Sequence, residues 1–362
     1  MAFRGIYPAT ELKPTEFGIF SGARVMRHTS RNYDERWIRG FSVEYDTQPT
    51  VRLLEDGGTS VHTMFDGSGL ARYLNVEPFF IEVEDYRSTF SLTGEDRFSR
   101  VLKQLEAVTQ KAVEREFYNG YVTRTDLTQN QYLTKSGSYT FASSTPQTAV
   151  SVQRAVALLE AQLANSPTGE QGVIHMSRDA AALLGSQWLL MRVEDDKGVF
   201  HLETLNGTTC IIGSGYTGDG PFSAITNKAA SGGTATITTA TPHGLVTNDT
   251  VTVSGVDATF NGTYTVTGAP TTTTFTYAKA GTITSTAATG LAQMVATADV
   301  KWMFATGSLD IHVGKPDVVN DTLAHGYDVS TNQNNMRIKA LRPAAVHFDP
   351  SMHYAVKVNL TA

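Results

Sequence analysis

Residues 222–293 limit this chain's folding options more than any other stretch. Of these 72 residues, 22 are threonine and four (Lys228, Asp249, Asp257 and Lys279) are charged. Threonine loses side-chain freedom in a helix and packs well on a pleated surface, so the block has to fold as strands. Residues 235–238, 250–253, 262–266 and 274–277 read as those strands. Gly, Asn and Pro turns separate them at about a dozen residues' spacing, as in a small sandwich or barrel. Taking the block's four charges from the 64 of the whole chain leaves about 21% of the other 290 residues charged, close to an ordinary globular domain. The thin charge of the chain as a whole therefore belongs to an all-β insert.

Around the insert the pattern changes several times. Residues 1–39 carry Arg4, Lys13, Arg24, Arg27, Arg31, Arg36 and Arg39 against Glu11, Glu16, Asp34 and Glu35, without helical periodicity. They read as a basic, extended arm, stable only when laid against something else, such as a neighbouring subunit. Residues 40–85 alternate around Gly57-Gly58 and Gly67-Ser68-Gly69, which predicts a long Gly-tipped hairpin. The strongest helix is expected over 93–119, with Thr93 and Asp96 spaced as a capping box and Gly120 as its terminator. A second helix is expected over 148–164, then a strand at 172–176 and a short helix at 178–184 capped by Ser177. After the insert, 300–304, 309–313, 337–346 and 354–360 alternate again, as strands completing a sheet begun before it. The fold class is α+β.

Little in the sequence looks like reaction chemistry. One cysteine, Cys210, allows no intrachain disulfide and no thiol cluster for zinc. A net charge of −6 excludes a polycationic nucleic-acid wrapper. No 18-residue apolar run occurs, and the first ten residues lack the basic-then-apolar order of a signal peptide. Gly213, Gly215 and Gly218 spell GxGxxG, but the loop runs into Asp219-Gly220-Pro221 rather than a helix that could receive a pyrophosphate, so it reads as a flexible surface loop. The histidines form no HxxxH or HExxH pair, and His62, His175, His201 and His243 are scattered. Glu82 and Glu84 share a strand face, more a solvated face or an intersubunit ion pair than an acid/base dyad. No catalytic residue, cofactor or metal site is expected.

The order of arm, Gly-tipped hairpin, long helix, helix-strand-helix unit and terminal sheet resembles the major capsid proteins of tailed bacteriophages with the Hong Kong 97 fold. Asn206-Gly207-Thr208-Thr209-Cys210-Ile211-Ile212-Gly213-Ser214-Gly215-Tyr216 resembles that family's entry into its A-domain. Val300-Lys301-Trp302-Met303-Phe304-Ala305-Thr306-Gly307 resembles a later A-domain strand, and 338–358 its closing P-domain strands. Over about 290 residues the resemblance implies an N-arm at 1–39, an E-loop at 40–85, and a spine helix with its following connection at 86–145. It further implies the helical part of the P-domain at 146–200, an A-domain at 201–221 and 294–336, and closing P-domain strands at 337–362. The insert itself resembles a small Ig-like β module found in phage capsid and tail proteins, with Ala240-Thr241-Pro242-His243-Gly244-Leu245 as its most specific piece.

The resemblance implies a subunit that assembles with itself, as hexamers and pentamers, into an icosahedral shell around double-stranded DNA. A separate scaffolding protein, a portal and a decoration protein are the implied partners, with no membrane. The implied location is the virion, after synthesis in the bacterial cytoplasm. Arg24, Arg27, Phe41, Tyr45, Leu53, Leu54, Phe65, Glu82 and Glu84 are the candidate intersubunit contacts, and Arg97 and Arg100 candidates for weak, non-specific DNA contact. Some relatives weld the shell with a lysine-to-asparagine isopeptide bond from the E-loop. No lysine occurs here between Lys13 and Lys103, so a noncovalent shell is expected. The competing class is a tail, baseplate or adhesin protein whose threonine-rich module binds a host surface.

Overall fold

The computed structural model describes residues 15–28, 35–45, 51–54, 61–65, 72–88, 97–126, 129–166, 171–195, 198–320, 326–328 and 333–361. The arm contributes β1 (Arg24–His28) and a 3-10 turn, Glu35–Arg39. The hairpin is present: β2 (Phe41–Tyr45) leads out to β3 (Val51–Leu54), which pairs antiparallel with β4 (Val61–Phe65), and β5 (Arg72–Val76) returns along β2. The chain then enters β6 (Phe79–Ser88) and α1 (Arg97–Asn119), whose 23 residues span about 34 Å. The capping pair Thr93 and Asp96 lies outside the described residues. At the other end Gly120 stops the helix at φ +58°, where a Cβ would come within 2.7 Å of the Tyr132 ring.

The next unit contains β7 (Thr140–Phe141), β8 (Val150–Ser151), α2 (Val152–Ala164), β9 (Val173–Met176), α3 (Arg178–Ser186), β10 (Leu190–Glu194), β11 (Phe200–Thr204) and β12 (Thr209–Ile212). Helix α2 starts four residues later than periodicity predicts. Val150 and Ser151 pair with the C-terminal strand first, and the Ser151 hydroxyl then accepts from the Arg154 N–H at 3.4 Å.

Residues 222–295 form a seven-stranded sheet: β13 (Phe222–Ser231), β14 (Thr234–Thr239), β15 (Thr250–Ser254), β16 (Gly262–Thr271), β17 (Thr274–Ala278), β18 (Ile283–Ala287) and β19 (Leu291–Val295). Alternation locates β14 to β17, each sending Ala235, Ile237, Val251, Val253, Val266, Phe275 or Tyr277 inward and threonine outward. It misses β13, β18 and β19. Bulged β13 pairs with β14, β18 and β19, so long-range pairing rather than its own pattern holds it.

The chain closes with β20 (Val300–Thr306), β21 (Leu309–Gly314), β22 (Asp317–Asn320), β23 (Gly326–Asp328), β24 (Gln333–Phe348) and β25 (His353–Asn359). The expectation of one closing unit over 337–362 does not match their pairing. Strand β24 is the spine of a six-stranded sheet with β1, β6, β21, β22 and β23, whereas β25 lies in an eight-stranded sheet ordered β10-β11-β12-β9-β20-β25-β7, with β8 also on β25. The turn at Asp349 to Met352 carries the chain from one sheet to the other.

Each sheet needs cover. On the six-stranded sheet, Ile311, Val313, Ile338, Val346 and Phe348 face Val101, Leu105, Val113 and Phe117 of α1 in one buried cluster. The base of the hairpin covers the opposite face, where Leu74, Val76 and Ala345 pack with Trp37, Phe41, Val43 and Tyr45. On the eight-stranded sheet, Val152, Ala155, Leu159, Ala180 and Leu184 of the two short helices pack on Ile174, Cys210, Met303 and Val356. The α1 cluster continues into the module through Ile225, Ile237 and Phe275, so the insert shares the core of the body.

Candidate assembly surfaces

The described part of the arm is laid against its own chain. Strand β1 runs parallel to β21 from Arg24 opposite Asp310 to His28 opposite Gly314, and Ile19 upstream is fully buried. What fixes it is a buried carboxylate on α1. Glu114 accepts from the Ile19 N–H (3.1 Å), Gln110 Nε2 (3.0 Å), Ser214 Oγ (2.8 Å) and the Gly215 N–H (2.8 Å). A buried charge is tolerated when its lone pairs are filled in this way.

The same contact corrects the reading of the glycine-rich stretch as a flexible surface loop. Gly213, Gly215 and Gly218 are buried, and a Cβ at Gly215 would lie 2.8 Å from Glu114 Cβ and 2.9 Å from the Arg115 N and Lys111 O. Glycine is required because the loop backbone lies directly on the helix backbone. Spacing alone could not distinguish that from phosphate binding, since both need close backbone approach.

The predicted contact residues fall into four groups. Arg24 holds Asp310 with two bonds, Nε–Oδ1 at 2.6 Å and Nη2–Oδ2 at 2.5 Å. Arg27 reaches Glu106 of α1 at 3.6 Å, and Glu106 also pairs with Arg342 of β24 at 2.6 Å. Phe41 and Tyr45 are half-buried within the chain: Phe41 lies 4.8 Å from the His312 ring, and the Tyr45 hydroxyl shares a 3.0 Å hydrogen bond with His347 Nδ1. Leu53, Leu54 and Phe65 fall on β3 and β4, the outer part of the hairpin. Glu82 and Glu84 share the exposed face of β6, where Lys339 of β24 donates to Glu82 at 2.8 Å. Arg97 opens α1 and Arg100 lies one turn on. The sequence reading missed His28, His312 and His347, which meet between the sheet and the hairpin base. The signal was there in part, since His312 stands between Ile311 and Val313 and His347 between Val346 and Phe348, each flanked by apolar residues of its strand.

The module is anchored to the body by charge. Lys357 of β25, 2% exposed, donates to Asp249 Oδ2 at 2.7 Å and to the Gly244 carbonyl at 3.2 Å. Gly244, at φ +65°, lies against Trp302, which a Cβ would approach to 2.9 Å. The Pro242-His243-Gly244 turn, its most specific sequence feature, is thus a docking loop. Lys228 pairs with Asp257, and Lys279 sits over the Tyr264 ring, so all four module charges have partners.

Among the described residues no group of three or more His, Cys, Asp or Glu side chains is arranged to hold a metal ion, and no helix is long and apolar enough to cross a membrane. Cys210 is buried, which pushes its thiol up to about 12. His175 is buried between Tyr216 and Thr306, and burial holds it down to about 3.

No protein-family model and no curated protein matches the chain. Among solved structures it is similar to the capsid of a native GTA particle, at 9% identity over 99% of this chain and 95% of that one (TM-score 0.46). It is similar to the capsid of Ralstonia phage GP4 at 11% identity over 99% and 95% (TM-score 0.45). A chain of Microbacterium phage Oxtober96 is similar at 7% identity over 98% and 95% (TM-score 0.43).

Proposed function

We propose that this chain is a major capsid subunit of the tailed-phage type, with a structural rather than enzymatic role. The observation that carries the reading is the outer hairpin. Among the described residues β3 and β4 pair with each other and with no other strand. A two-stranded ribbon is marginal in water by itself, so its stabiliser is another molecule, and a second copy of the chain supplies one wherever subunits tile a surface. Leu53, Leu54 and Phe65 are then the contacts across subunits. Hexamers and pentamers, a separate scaffolding protein, a portal, a decoration protein and packaged double-stranded DNA complete the proposed assembly, and the virion is its location. The module belongs on the outer surface. Its hydroxyl-rich exterior has no unpaired cation with which to meet a phosphate backbone, which supports a face turned away from DNA. A tail or adhesin reading accounts for the module and leaves the helix-backed sheets without a role.

Electron microscopy of the purified chain tests this. Closed shells with the module outside are expected, their subunits running as monomers on a denaturing gel because the E-loop supplies no lysine. Tubes, discrete monomers that bind glycans, a covalent ladder or a lumenal module would each contradict the corresponding part.

A further inference from the structure

Three histidines from three strands meet where the arm, the hairpin base and the six-stranded sheet join. His28 Nε2 and His312 Nδ1 are 3.0 Å apart, their rings stacked at 5.2 Å and 9°. Trp37 stacks on His28 at 4.7 Å, and the His347 ring lies 5.6 Å from that of His312. Phe41 lies against both His312 and His347. The other groups facing the cluster are Arg24 from β1, Tyr45 from β2 and Asp310 from β21, whose carboxylate binds Arg24 and lies 3.9 Å from His347 Nε2. Strand β5 presents Leu74 and Val76, while its Tyr73 bonds Glu44 on the outer side. Arg342 and Glu106 pair on the α1 side of the sheet.

We propose that His28, His312 and His347 form an acid-sensitive latch: neutral, they hold the arm strand and hairpin base on the sheet, and protonated they release both. Two facing imidazolium rings at 3.0 Å would each present a donor to the other and repel by charge. Protonated His347 would also draw on Asp310, the carboxylate that tethers Arg24 of the arm. The elements concerned are lightly held, since among the described residues β1 pairs with β21 alone and the buried contacts of the hairpin base are few. Burial, and then the neighbouring histidines, pull His312 down from 6.5 to about 4, and burial lowers His28 and His347. The released form therefore binds more protons than the docked form. Docking is complete above about 6.5, weakens as pH falls towards about 4, and levels off below. The latch is a property of the single chain, whether or not copies assemble.

Hydrogen exchange on the full, unassembled chain from pH 7 to 4.5, expressed as protection factors, tests it. Protection of β1, β2 and β5 is expected to fall about tenfold per pH unit below about 6 for each histidine engaged, while β20 and β25 stay protected. Local readout matters because buried His175 and His353 also resist protonation and act on the core. The triple variant H28Q/H312Q/H347Q should lose the slope. If it does not fold, His347→Gln alone should make the slope shallower. Unchanged protection of β1 and β2 down to pH 4.5, or a wild-type slope in whichever variant folds, overturns the latch.

Discussion

The two faces of the six-stranded sheet are covered by different materials. Towards α1, Ile311, Val313, Val346 and Phe348 meet an apolar helix stripe, and Phe348 stands edge-on to Phe117 at 5.7 Å. Towards the hairpin, the alternate residues of the same strands are Asp310, His312, Ala345 and His347, met by half-buried Trp37, Phe41 and Tyr45. Side chains alternate along a strand, so one strand can build a permanent core on one side and a titratable contact on the other. In the proposed shell subunit, the difference separates what must stay folded from what is free to move.

Substitutions on the two faces should differ in cost. Phe348→Ala removes a fully buried ring and should cost about 3–5 kcal/mol in denaturant unfolding of the whole chain. Phe41→Ala, on the hairpin face, should cost about 1–2 kcal/mol, because a half-buried ring loses less area. Its effect should be local, read as faster proteolysis in the hairpin with α1 still protected. An equal global cost for the two would erase the distinction between the faces. Smallest is Arg24→Ala. Its side chain is 73% exposed, and the screened pair with Asp310 should contribute within about 1 kcal/mol at low salt and less at high salt. A larger loss would mean that the arm is held by charge more than by strand pairing and Ile19.

Much of the fold was readable because it is local. Helix α1 shows its stripe, and β14 to β17 alternate threonine with apolar residues. The parts that were not readable depend on distant partners. Strand β13 is recognisable only beside β14, β18 and β19. Gly215 is explained by a helix a hundred residues earlier, and Asp249, one charge in a neutral block, by Lys357 across the module boundary. The histidine cluster was hidden for the same reason, since its members are 284 and 35 residues apart in sequence and meet only when β1 and β24 flank β21.

The sequence by itself determined the inventory: a threonine-rich β block, one long amphipathic helix and a hairpin without lysine. Those follow from side-chain period and composition, which act over a few residues. Only the tertiary structure decided that the described part of the arm rests on its own chain, that the last two long strands enter different sheets, that the module shares the body's core, and that three histidines touch. Each is a choice of partner among segments far apart in the chain, settled by which pairing buries apolar area and pairs backbone and buried polar groups.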